Sequence, residues 1–251
     1  MNDYQKIFMK RANDYHYAMQ KYPDVRSYEF ESLISTTDFS SIKKVLDIPS
    51  GGGYLKKYLP KNIELISADF SEGFTNENIQ FVDPTQFSYS DNSFDLVLSL
   101  SGLHHLNDVP KFVHECLRIL KKNGSFIFSD VKRDSPVDFF LNEFVNKYNS
   151  LGHNGVFFTE NSFQGLAYFD VENSFNEFPL LQEKIIRTQY NQYPFVFKDK
   201  SEMLCFFSFF FGLDKANENI IYDGIRDILG IKSTENGIEV NWGLIQFEFK
   251  K

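Results

Sequence analysis

The sequence predicts an α/β protein built on a doubly wound, mostly parallel sheet, and three observations predict it. Apolar strand-like runs recur at Val45–Ile48, Ile63–Ala68, Ser93–Ser99 and Ser125–Val131, continuous enough to suit strands covered on both faces. The first run leads at once into Pro49-Ser50-Gly51-Gly52-Gly53, a small-residue turn of the kind that ends a strand at a ligand site. An amphipathic helix over Val109–Leu120 separates the last two runs, with Val109, Phe112, Val113, Cys116, Leu117 and Leu120 at helical spacing.

Taken in order, the first strand ends in Asp47, and that position narrows the ligand. Dinucleotide folds place their acid about 20 residues after a G-x-G-x-x-G loop, whereas here the acid precedes the glycines as Asp47-x-Pro49-x-Gly51-x-Gly53. A carboxylate at the strand tip repels a pyrophosphate and suits a cationic ligand; S-adenosylmethionine (SAM), with an ammonium and a sulfonium, is one. Tyr54 onward is expected to open a helix. The second strand ends in Asp69, followed by Phe70 and Ser71, at the spacing of a βαβ unit. Phe81-Val82-Asp83-Pro84 comes next, then the fourth strand ahead of Leu100 and Ser101. Lys121-Lys122-Asn123-Gly124 closes the Val109–Leu120 helix with positive charge and an expected left-handed Gly124 before the fifth strand.

This series resembles the class I SAM-dependent methyltransferases, and Arg118–Gly124 resembles a segment of the small-molecule members related to the ubiquinone/menaquinone group. Pro49 departs from the family's usual glycine; the turn tolerates it where no positive φ and no N–H are needed. The resemblance covers about residues 40 to 135 and implies a Rossmann-like seven-stranded sheet with an antiparallel last strand. It implies that Asp47, Pro49, Gly51 and Gly53 form the cofactor loop, that Asp69, beside Phe70, holds the ribose, and that Asp83, beside Pro84, meets the adenine. It also places Leu100 and Tyr15 against the cofactor.

The remaining regions are expected to shape a substrate pocket on a single domain, residues 1–251. Residues 1–38 form an N-terminal helical lid, 39–135 the SAM-binding core, 136–215 an inserted substrate-capping region and 216–251 a sheet-closing hairpin. Within the capping region, Pro136–Tyr148 is helical and capped by Ser135. Leu151-Gly152-His153-Asn154-Gly155 then breaks the chain into a loop. Thr159–Phe169 reads as a short helix, Lys184–Tyr190 and Tyr193–Phe197 as extended pieces, and Ser201–Phe211 as a helix ended by Gly212. Ile220–Leu229 is helical, and Ile238–Phe249 supplies the last two strands or one hairpin.

Composition excludes some functions. The net charge of −8 and the lack of a basic face oppose a nucleic-acid partner. Ser99-Leu100-Ser101-Gly102 stands where amino-group methyltransferases carry an N-P-P-Y-type tetrad, which favours a small-molecule acceptor, apolar or carrier-bound. No uncharged apolar run of about 18 residues occurs, Met1–Lys10 is polar, and Cys116 and Cys205 read as reduced core residues, so a cytoplasmic monomer or homodimer is expected.

Methyl transfer is an in-line displacement, so the protein's main task is positioning, and a base is optional. His153 in its glycine loop, and His104 and His105 after the fourth strand, are the candidate bases; a loop histidine bonded to backbone and a histidine packed on the sheet are the alternatives. Adjacent His104 and His105, with no third ligand evident, do not predict a metal site. The competing functions are an inactive protein that binds SAM or its product, and a nicotinamide oxidoreductase.

Overall fold

The computed structural model describes residues 3–153, 155–166 and 180–251. Helices α1 (Asp3–Lys21) and α2 (Ser27–Ile34) precede an α/β core. The core runs β1 (Lys44–Asp47), β2 (Glu64–Asp69), β3 (Ile79–Phe81), β4 (Phe94–Leu100), α3 (Val109–Ile119) and β5 (Leu120–Asp130). After it come α4 (Pro136–Phe139), which continues through a π-helical stretch (Phe140–Val145) into α5 (Asn146–Tyr148), then β6 (Ile185–Phe197) and α6 (Lys200–Phe211). The chain ends with α7 (Glu218–Gly224), a π turn (Ile225–Leu229), β7 (Ile231–Thr234) and β8 (Gly237–Lys250).

The sheet runs in the order β3-β2-β1-β4-β5-β8-β6, with β7 pairing on β8. The pairings among β1 to β5 are parallel, and those of β8 with β5, β6 and β7 are antiparallel. Strand order reverses between β1 and β4, and open sheets of this kind bind ligands at such a point, beyond the carboxyl ends of the strands. Side chains alternate across the sheet. Val45, Leu96, Leu98 and Ile127 enter one core, and Leu46, Val97, Phe126 and Phe128 the other. Both faces are covered, which is why the strands read as continuous apolar runs.

Several expected elements take a different form. Among the described residues the sheet has eight strands rather than seven; β8 alone runs against the others, as the antiparallel last strand was expected to do. The two extended pieces at 184–197 are one strand, β6, so the expected capping region supplies a sheet edge. Ile238–Phe249 lies within the single strand β8; its partner in the terminal hairpin is β7. The helix after the glycine turn is one 3-10 stretch, Tyr54–Tyr58. Asn123, not Gly124, takes the left-handed conformation (φ 65°). Thr159–Leu166 forms turns rather than a helix, following a bridge from Phe158 to Lys132, and the rest of that expected element, from residue 167, lies outside the described residues.

The caps expected at Ser135 and Gly212 are present: Ser135 accepts from Asp138 N at 3.2 Å, and Gly212 (φ 60°) ends α6. Asp108, not singled out in the sequence, also caps α3, accepting from Lys111 N at 3.0 Å. Among the described residues, no helix is long and apolar enough to cross a membrane, and both cysteines are free.

Candidate active site

The turn after β1 is built around donors that need acceptors. The Ile48–Pro49 peptide is cis, and the donors fall to the next residues: Ser50 N binds Ala68 O at 2.9 Å, Gly51 N binds Asp69 Oδ2 at 2.9 Å, and Gly53 N binds Ser50 O at 3.0 Å. Gly51, Gly52 and Gly53 take φ of 58°, 132° and 75°, a path closed to most side chains. A Cβ on Gly51 would stand 3.2 Å from the Tyr15 hydroxyl, so α1 covers the turn directly.

The expected cofactor residues divide. Asp47, Pro49, Gly51, Leu100 and Tyr15 line one crevice of about 460 Å³. Asp47 is buried, and its Oδ2 has no hydrogen-bond partner. Burial, reinforced by the Asp69 carboxylate, pushes the Asp47 acid well above the usual carboxylate range. Asp69 is fully buried, with Oδ2 on Gly51 N and Oδ1 on Ser71 N at 2.9 Å, so it braces the turn. Phe70 packs in the core edge-on to Phe112 at 5.4 Å, which removes its side chain from the crevice. Asp83 is exposed; its Oδ1 accepts Thr85 N at 2.8 Å and Thr85 Oγ1 at 2.7 Å, holding it below the usual carboxylate range. Neither Asp83 nor Pro84 lines the crevice.

A second cleft of about 710 Å³ adjoins the first and shares Phe8, Tyr15, Arg26, Leu100 and Ser101 with it. Its aromatic wall includes Phe195, Phe210 and Trp242. Sequence reading missed its polar core, the buried Arg26–Glu29 ion pair, although an Arg and a Glu three apart on a helix are neighbours. Arg26 Nη1 also donates to Tyr15 Oη at 2.8 Å, and Ser101 Oγ lies 3.1 Å from Glu29 Oε1. Arg11 donates to Phe210 O at 2.8 Å, tying α1 to the end of α6.

The three candidate histidines meet at this cleft. His104 and His105 lie on a 3-10 turn after β4, and His153 arrives from the loop after α5. Ring centroids are 4.0 Å apart for His104–His105, 5.1 Å for His105–His153 and 5.4 Å for His104–His153. His104 Nδ1 lies 2.6 Å from Asp130 Oδ1, and Asp130 Oδ2 accepts Leu103 N at 2.8 Å. Burial, with His104 and Arg11 adding to it, lowers His153 to about 3, which makes it a neutral ring and a weak base. The third imidazole that the adjacent pair lacked in sequence is therefore present.

Residues 46–128 match the family model described as a methyltransferase domain. Over these residues the chain carries a methyltransferase domain. The chain is 32% identical over 133 residues to the uncharacterized methyltransferase YcgJ of Bacillus subtilis, covering 47% of this chain and 52% of that one. It is 31% identical over 151 residues to the ubiquinone/menaquinone biosynthesis C-methyltransferase UbiE of Rickettsia prowazekii, covering 51% and 60%. The chain thus spans about half to three fifths of the length of these curated relatives. In fold it is similar to a SAM-dependent methyltransferase of Thermotoga maritima, with a TM-score of 0.60 at 16% identity over 98% of this chain and 99% of the other.

SAM is the cofactor of such a methyltransferase domain, and the crevice fits it. The buried, partnerless Asp47 oxygen suits a cationic group, and the glycine turn leaves backbone rather than side chain facing the ligand.

Proposed function

We propose that the protein transfers a methyl group from SAM to a small molecule held in the 710 Å³ cleft. The observation that carries this reading is the wall common to both clefts, formed by Phe8, Tyr15, Arg26, Leu100 and Ser101. A cofactor in the first space and an acceptor in the second would meet at that wall, which is the positioning a displacement requires.

The bound cofactor supplies an electrophilic methyl on a sulfonium; the chain's residues do the rest. On this reading Asp47 would hold the cofactor's ammonium, the Gly51–Gly53 turn would pass close to it, and Tyr15 would cover it. Phe195, Phe210 and Trp242 exclude water around an apolar acceptor, and the Arg26–Glu29 pair fixes its polar end. His104, its Nδ1 held by Asp130, presents Nε2 as a proton acceptor for an acceptor hydroxyl or acidic carbon, and His105 and His153 complete that wall.

The experiment is incubation with methyl-labelled SAM and a panel of phenols, enols and carrier-bound acyl groups. Label in one small-molecule product from wild-type protein, and none from Asp47→Asn, is the expected result. Label found only in added protein or nucleic acid would overturn the reading.

A further inference from the structure

We propose that His104, His105 and His153 form a binding site for one divalent transition-metal ion of the zinc class. One ring nitrogen from each of the three histidines lies within 4.8 Å of the others, and all three side chains are buried. A tetrahedral ion with bonds of about 2.0–2.1 Å sets its nitrogens roughly 3.3–3.4 Å apart, so modest ring rotations close the site. Imidazole donors suit zinc, copper, iron and nickel and disfavour calcium and magnesium.

Two further observations point to a ligand here. His153 Nδ1 is buried with no hydrogen-bond partner, although the residue is only 8% exposed. His104 is oriented from behind, since Asp130 Oδ1 holds Nδ1 at 2.6 Å and leaves Nε2 for the ion, the carboxylate-histidine arrangement that fixes metal-binding rings. Asp130 is itself anchored by Leu103 N, His104 N and Val131 N. The loop is tied to the turn as well: Val156 N donates to His104 O at 2.8 Å, and His153 N to Asn146 Oδ1 at 3.0 Å.

Charge neither forbids nor enforces the site. Arg11 and Arg26 face the same cleft and oppose a cation, while Glu29, paired with Arg26, and Asp130, behind His104, offset them. Three protein ligands leave a fourth position, as in catalytic zinc sites. Resting on the reading of this cleft as the acceptor site, that position would favour the oxygen anion of a phenol or enol over its protonated form, the displaced proton leaving to solvent. The ion would then replace an imidazole as the means of ionising the acceptor.

The test needs neither SAM nor turnover, so its failure is separate from failure of the proposed activity. Protein stripped with a chelator is titrated with Zn2+ by calorimetry and with Co2+ by visible absorption. The expected result is one ion per chain, with the intense Co2+ bands of a four-coordinate site, and affinity at least about tenfold weaker in both His153→Ala and His105→Ala. Circular dichroism checks that each variant folds, and the wild-type Co2+ spectrum stands without them. No stoichiometric ion in wild type, an octahedral Co2+ spectrum, or unchanged affinity in both folded variants would overturn the site.

Discussion

Asp47 and Asp69 end adjacent parallel strands, and their carboxylates are handled in opposite ways. Asp69 accepts the amides of Gly51 and Ser71, whereas Asp47 keeps a buried oxygen with no partner. One acid holds the turn, and the other is left for what the turn receives.

Asp47→Asn is expected to stabilise the unliganded protein at neutral pH while weakening SAM binding. The native Asp47 acid is raised, so between the ordinary carboxylate value and its raised one the folded state holds a proton that the unfolded state has released. Stability then falls as pH rises through that window, by about 1.4 kcal/mol per pH unit for a single group. Thermal unfolding of wild type and variant across a pH series rising from the ordinary carboxylate value checks this, with the gap widening toward the alkaline end.

Asp69→Ala should cost stability as well as cofactor affinity. It orphans the amides of Gly51 and Ser71, at about 1–3 kcal/mol for each buried group left unsatisfied. Urea unfolding reads the loss, and Asp69→Asn, which keeps an acceptor, should lose less.

Gly102→Ala should disturb the cofactor turn from a distance in sequence. A Cβ there would stand 2.1 Å from Pro49 Cγ, a ring that cannot swing aside. The expected outcome is a loss of about 1–3 kcal/mol together with weaker SAM binding; full affinity and stability would show that the turn has room to move.

Glu29→Leu should leave the Arg26 charge buried and uncompensated, costing about 3–5 kcal/mol. Adding Arg26→Met should recover much of that stability without restoring acceptor binding. Melting curves of the two single variants and the double variant decide it.

Much of this was legible in the sequence. The β1 turn, the four apolar strands and the helix ends at Ser135 and Gly212 follow from local chemistry that reads the same in isolation and in the fold. β6 was read as two pieces because Asn191 and Gln192 interrupt it; at the sheet edge, one side of the strand makes no ladder and tolerates both, as it tolerates Pro194 further on. Phe70 misled because a residue after a strand tip points either to ligand or to core, and only packing against Phe112 decides. The histidine site depends on a loop returning to the end of β4, which spacing does not show; spacing does make Arg26 and Glu29 neighbours, but their burial depends on α2 lying over the sheet.

The most direct measurement is a calorimetric titration of wild-type and Asp47→Asn protein with SAM. The account predicts one SAM per chain, with binding weakened about tenfold or more in the variant as a charge-assisted contact is lost. No binding by the folded wild type, or equal affinity in both proteins, would contradict the assignment of the crevice beside Asp47 as the cofactor site.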